Sequence, residues 1–305
     1  GENYRRAYSP MGLTTPAHAT MLTGLHPWEH GVEANNHHGY VLDSAVTVVQ
    51  DHFEGYAKGA FVSAYPAGPT GGIRRGWDVF DGPDAGERSG TIAVNKALEW
   101  LPSDQPALLW VHVYEPHGPY VGDGVNERER YGEEVQLADE MLAPLLNVLE
   151  RRGARIVIAS DHGEVLDEER CSYQHERSIS EHVLRVPLIR WSPQTKAQAI
   201  DGMVGLSDVP ALLRGEDIAP REFWLAQSGM CEPDCAPGCS PEGLEGRDSV
   251  ATDGGGRWIS RPGVGLLKQR DPAPDLVERL KGVPRLTTPD SAGNQNAASL
   301  GYIDP

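Results

Sequence analysis

Three short apolar runs, each breaking off into polar residues, constrain this 305-residue chain more than any other feature. They are Gly59-Ala60-Phe61-Val62-Ser63-Ala64, Ala107 to Val113, and Arg155 to Ser160. Runs of this length that are apolar without alternation read as strands buried on both faces. Val186-Pro187-Leu188-Ile189 reads as a further short strand. Between them Ile92 to Leu101, stopped by Pro102, and Glu127 to Arg152 carry helical patterns, with Pro144 expected to bend or split the second. Ala45 to Phe53 reads as a short helix, while His26 to Val32 and Thr70 to Asp84 read as loops.

Strands alternating with helices predict an α/β fold, a central and mostly parallel sheet with helices on both faces. Ligands in such folds sit beyond the carboxyl ends of the strands. That core is expected over 1–215. From about residue 216 Pro, Gly, Asp and Cys rise and the periodicity fades, which predicts a smaller irregular subdomain over 216–305, with Val250 to Arg261 as a strand or hairpin.

Composition narrows the partners. A formal charge of −17 argues against general nucleic-acid binding, which needs a basic face. No run of about 18 apolar residues exists, so no membrane span is expected. Cys231, Cys235 and Cys239 share a Cys-x3-Cys-x3-Cys spacing that fits neither paired zinc ligands nor a thioredoxin motif. A disulfide-pinned or thiol-bearing loop and a small structural metal site both stay open there. Oligomeric state and compartment are not readable.

Leu13-Thr14-Thr15-Pro16-Ala17-His18-Ala19-Thr20-Met21-Leu22-Thr23-Gly24 is the stretch richest in chemistry. Pro16 suits the first turn of a helix, and Gly24 its C-terminal stop. A hydroxyl at the head of that helix meets unpaired N–H groups and the positive end of the dipole, a place that favours an alkoxide or a phosphoryl oxygen. Thr14 reads either as such a nucleophile or as a plain N-cap.

The stretch, continued by Leu25-His26-Pro27-Trp28-Glu29-His30-Gly31-Val32, resembles the nucleophile signature of the sulfatase branch of the alkaline phosphatase superfamily. There a Cys or Ser oxidised to formylglycine, or an unmodified Thr or Ser, precedes x-Pro-x-Arg/His and Leu-Thr-Gly. Thr14 stands at the nucleophile position and His18 at the usual Arg position. Threonine carries a methyl on its β-carbon and cannot yield an aldehyde, so no formylglycine is expected. The resemblance therefore implies the phosphoester side of the superfamily, including phosphodiesterases, phosphonate hydrolases and phosphoryl transferases, acting on a small anionic ester. A sulfate ester hydrolase is an alternative, and a non-catalytic relative serving as a binding module is another.

Asp161-His162-Gly163-Glu164 ends the third apolar run. By resemblance Asp161 and His162 hold a divalent ion together with Thr14, and carboxylate, imidazole and alkoxide suit Zn²⁺ or Mn²⁺ more than Ca²⁺. Such an ion lowers the pKa of the hydroxyl and polarises the ester oxygen. His117, in Glu115-Pro116-His117-Gly118-Pro119-Tyr120, resembles the family's substrate-contacting His, with Glu115 replacing the usual Asp. His175 stands near a position that faces the leaving group, a candidate general acid against a solvated loop His, although Glu176 replaces the expected Gly. His18 is expected to orient the nucleophile or bind an anionic oxygen, and Asn35 to donate to a substrate oxygen. His112 reads as a packed core His. Gly76-Trp77-Asp78-Val79-Phe80-Asp81 resembles the family's Gly-Phe-Asp segment, and Leu300 to Asp304 resembles the closing residues of many sulfatase-like chains.

One departure stands out. The family's acidic residues on a first strand have no counterpart ahead of Thr14, and Glu2 is too close to replace them. The expectation is a chain lacking that strand, with about half of a metal site and one open sheet edge.

Overall fold

In the computed structural model residues 1–35, 39–68, 71–166, 175, 178–229, 249–253, 257–261 and 265–268 are described. The four cysteines, Glu176 and the Leu300 to Asp304 segment lie outside the described residues. In chain order the first elements are β1 (Glu2–Tyr8), α1 (Thr14–Thr23), α2 (Pro27–His30), β2 (Ala57–Val62), β3 (Val79–Asp81), α3 (Gly90–Trp100), β4 (Ala107–His112), α4 (Glu127–Arg151) and β5 (Ile156–Ala159). They are followed by α5 (Glu181–Leu184), β6 (Arg185–Val186), β7 (Leu188–Trp191), β8 (Gln198–Gly205), α6 (Val209–Arg214), β9 (Trp224–Gln227), β10 (Ser249–Thr252), β11 (Arg257–Arg261) and β12 (Gly265–Lys268).

The three apolar runs become β2, β4 and β5. β2 lies between β3 and β4, parallel to both, with Val62 opposite His112. β1 is parallel to β8 and antiparallel to β6 and β7, while β5 is antiparallel to β7. β1 and β5 therefore run the same way, and both feed their carboxyl ends toward the segments carrying Thr14 and Asp161. Among the described residues β4 and β5 are the outer strands of their two sheets.

The core follows from strand pleating. Ala7 and Tyr8 are neighbours in β1 and point to opposite faces, as do Met203 and Val204 in β8. Ala7 and Val204 pack with Ala17 of α1, Leu188 of β7 and Leu212 of α6. Tyr8 and Met203 pack instead with Val183, Trp224, Ala226 and Val250. Leu188 and Leu212 are fully buried, each worth roughly 2 kcal/mol of transfer free energy.

The region after residue 216 is more regular than its composition predicts: β9 to β12 form a four-stranded antiparallel sheet, and β10 and β11 are the expected hairpin. That sheet braces the loop leading to Thr14. Gln227 N–H donates to the Pro10 carbonyl at 2.9 Å, and Trp224 Nε1–H to the Ser9 carbonyl at 2.9 Å.

Four local expectations are corrected. The His26 to Val32 segment, expected as loop, carries α2, where Pro27 starts a turn of helix that Gly31 ends. The Thr70 to Asp84 segment, likewise expected as loop, carries β3, paired with β2. Ala45 to Phe53 is not a helix; only Val49–His52 makes a single 3-10 turn. The β-branched run Val46-Thr47-Val48-Val49 explains this, because such residues lose χ1 freedom in a helix. Pro144 does not split α4, which runs unbroken through it. Pro144 lies on the exposed side, where the Glu140 carbonyl it leaves unbonded can reach water. None of the described helices is long and apolar enough to cross a membrane.

Candidate active site

α1 begins at Thr14, and its N-cap is the extended Leu13, which makes no side-chain cap bond. The capping of this helix comes from elsewhere: Asn35 Oδ1 accepts the Thr15 N–H at 2.8 Å, while Thr15 Oγ1 ties the first turn to the Pro66 carbonyl at 2.7 Å. Gly24 ends the helix at φ 77°, the left-handed region that glycine enters without penalty. Thr14, 4% exposed, has its Oγ1 3.5 Å from Nε2 of His162. Of the two readings of Thr14, the N-cap is the one this geometry does not supply.

His162 follows β5. Its Nδ1 lies 3.0 Å from the Gly163 carbonyl. A carbonyl only accepts, so the proton is on Nδ1 and Nε2 presents a lone pair. Asp161 Oδ1 accepts the His162 N–H at 2.9 Å, and its Oδ2 lies 3.5 Å from His162 Nε2 and 3.7 Å from His18 Nδ1. Burial pushes the Asp161 carboxyl up, but the surrounding His162, His18 and His112 and the His162 N–H outweigh it, holding the group far below the usual carboxylate range. Asp161 is thus an anion aimed at the same small volume as Thr14 Oγ1 and His162 Nε2. Asp161 also stands with His18 and His112, one ligand atom from each lying within 4.8 Å of the others, a group that could hold a metal ion.

His18, one turn into α1, turns its Nδ1 to the Thr14 carbonyl at 2.8 Å rather than to the Thr14 hydroxyl. Burial lowers its pKa, against the opposing pull of Asp161. His112, expected in the core, is the last residue of β4 and packs edge-on to His18 with ring centroids 5.1 Å apart. Its Nδ1 is 3.4 Å from Ser63 Oγ, and burial depresses its pKa to about 3. Its place at a strand's carboxyl end, the same place that marked Asp161, is the signal that could have found it.

His117 and His175 meet on the other side of His162. The His175 ring stacks on His162 with centroids 4.0 Å apart, and its Nε2 lies 3.4 Å from His117 Nε2. Tyr114 Oη lies 3.1 Å from that same His117 atom. Burial lowers the pKa of both rings, His175 the further. Glu164 belongs with these two: one ligand atom each from His117, Glu164 and His175 lie within 4.8 Å of one another. Glu115 stands apart from this chemistry. It accepts the Gly90 N–H with both oxygens at 3.2 Å, holding the His117 loop to the N-terminus of α3. Glu2 is likewise structural, bonded by Arg190 at 2.6 Å, Tyr4 at 3.0 Å and Gln198 at 3.0 Å.

The α/β sheet thus brings a helix-terminal hydroxyl, an Asp-His pair and a group of histidines together on one side. The sulfatase family model matches residues 1–213, and the chain belongs to the sulfatase family. Among curated proteins, none matches the chain by sequence. Solved structures share the fold. The phosphonate monoester hydrolase SpPMH from Silicibacter pomeroyi superposes with a TM-score of 0.68 at 15% identity, over 98% of this chain and 86% of that one. For the phosphonate monoester hydrolase of Agrobacterium radiobacter the values are 0.67, 16%, 99% and 87%. For BT1596, a 2-O GAG sulfatase, they are 0.64, 14%, 99% and 82%.

Proposed function

We propose that this chain is a metal-dependent hydrolase of phosphate diesters or phosphonate esters that uses Thr14 as its nucleophile. The observation that carries this reading is the placement of Thr14 Oγ1, buried, without capping duty, and 3.5 Å from His162 Nε2 beside the Asp161 carboxylate. Phosphonate monoester hydrolases and sulfatases both share the fold. The side chain at the nucleophile position favours the phosphorus esters, because threonine cannot become formylglycine.

Asp161, His162 and Thr14 would hold a divalent ion, which when bound would supply the positive charge that makes a hydroxyl a competent nucleophile. The residues do the rest. The α1 N-terminus points its dipole at the anionic ester. Thr14 Oγ1 would form a bond to phosphorus as the bond from phosphorus to the ester oxygen breaks in line, the hydroxyl proton passing to solvent and the departing alkoxide taking one from it. Water would then cleave the phosphothreonine, releasing the phosphorus acid and restoring the Thr14 hydroxyl. His18 fixes the first turn of α1 through the Thr14 carbonyl, and Asn35 holds the Thr15 N–H. His117 and His175 address the departing oxygen. The test is mass spectrometry of the protein quenched during turnover of a phosphodiester: a phosphoryl adduct on Thr14 supports the reading, and turnover without one argues against it.

A further inference from the structure

His117 and His175 face each other with the wrong polarity for a hydrogen bond. His117 Nδ1 lies 2.7 Å from the Gly118 carbonyl, and His175 Nδ1 lies 2.7 Å from the Gly12 carbonyl. Each carbonyl can only accept, so each ring carries its proton on Nδ1 and a lone pair on Nε2. Those two lone-pair nitrogens are 3.4 Å apart. Neither can donate to the other, and neither holds the Nε2 proton that a general acid would deliver. Main-chain carbonyls fixing the far nitrogen of a histidine are the usual support of a metal ligand. The spacing fits as well: two nitrogens bound at 2.0–2.1 Å to one tetrahedral ion stand about 3.3 Å apart. Glu164 brings a carboxylate oxygen within 4.8 Å of both rings, and the Tyr120 hydroxyl bonds to that carboxylate.

We propose that His117 Nε2, His175 Nε2 and a Glu164 carboxylate oxygen form a second divalent-cation site, next to the Thr14–Asp161–His162 set and suited to Zn²⁺. Three protein ligands leave one tetrahedral position for an oxygen of the ester. The Tyr114 hydroxyl lies 3.1 Å from His117 Nε2 and would have to turn its hydrogen away for a cation to bind there. The inference deepens the proposed hydrolysis by giving His117 and His175 a way to stabilise the departing oxygen. It rests on that reading only for this role, because binding itself does not require Thr14 to react.

The experiment is calorimetric titration of the purified chain with Zn²⁺, and with Co²⁺ followed by visible absorption. Asp161→Asn is the variant for the first set, and His175→Gln and Glu164→Gln are those for the second. In the Asp161→Asn protein one equivalent remains, with the absorption of four-coordinate Co²⁺ bound by imidazole. Adding His175→Gln or Glu164→Gln removes that equivalent. Circular dichroism identifies a variant that fails to fold, and the half-buried Glu164 supplies the readout if His175→Gln does. Zn²⁺ binding unchanged by either second-set substitution, or absent once Asp161 is replaced, overturns the second site. Failure of Thr14 to become phosphorylated would overturn only the proposed hydrolysis.

Discussion

Thr14 Oγ1 and His162 Nε2 lie 3.5 Å apart across 148 residues of chain. Both belong to segments that leave carboxyl ends of strands running the same way, which is how an α/β sheet turns distant sequence into one site. Each is fixed from behind, Thr14 by the first turn of α1 and His162 by the Gly163 carbonyl.

Asp161 is the anion of that site. Asp161→Asn keeps the shape and removes the charge, so Mn²⁺ affinity at the first set should fall by about 100-fold or more. Titration calorimetry of the wild type and the variant checks it, and equal affinities would exclude Asp161 as a ligand.

Gly12 lies against His175. A Cβ on Gly12 would come within 2.2 Å of the His175 carbonyl oxygen, and the Gly12 carbonyl accepts the His175 Nδ1–H. Gly12→Ala should therefore cost about 1–3 kcal/mol by overpacking and displace the imidazole. A lower melting temperature together with weaker Zn²⁺ binding is the expected pair of results.

His30 is 2% exposed. Its Nδ1 accepts the Val32 N–H at 3.1 Å, and its Nε2 lies 3.1 Å from Thr20 Oγ1. Burial, with His26 nearby, lowers its pKa to about 3 from an unfolded value near 6.5. Between those values the unfolded chain binds the extra proton. The stabilising contribution is whole above about pH 6.5 and is lost as pH falls toward 3, at up to about 1.4 kcal/mol per pH unit. Urea unfolding at pH 7, 5 and 4 should show this slope, reduced in His30→Gln.

Glu2 and Arg190 form a largely buried pair at 2.6 Å, each side chain 10% exposed. Arg190→Met leaves the carboxylate without its cation and should destabilise by about 3 kcal/mol or more. Because Glu2 ties β1 to β7 and β8, Glu2→Gln should lower the unfolding midpoint and leave Mn²⁺ affinity unchanged. A loss of metal affinity would place Glu2 in the site after all.

Much of this was legible before the structure. Uniformly apolar runs announced β2, β4 and β5, and Pro16 and Gly24 bounded α1. β1 escaped notice because Glu2, Arg5 and Arg6 interrupt its apolar pattern; the charge of Glu2 is met by Arg190, distant in sequence. β8 carries Asp201 and Gly202, poor strand formers, where its register with β1 shifts. Residue types gave Thr14, Asp161, His162, His117 and His175 as candidates, but not the direction of their ring nitrogens. That direction is set by the carbonyls of Gly12, Gly118 and Gly163. Main-chain acceptors carry no sequence signal, and for that reason the facing lone pairs of His117 and His175 appear only in three dimensions.

The most direct test of Thr14 as nucleophile is the rate of hydrolysis of a chromogenic phosphodiester and a chromogenic phosphonate monoester by the wild type and Thr14→Ala, with and without Mn²⁺ or Zn²⁺. Metal-dependent turnover by the wild type, cut by about 10³-fold or more in the variant, is the expected result. Equal rates in the two proteins, or no metal-dependent turnover of either ester by the wild type, would contradict it.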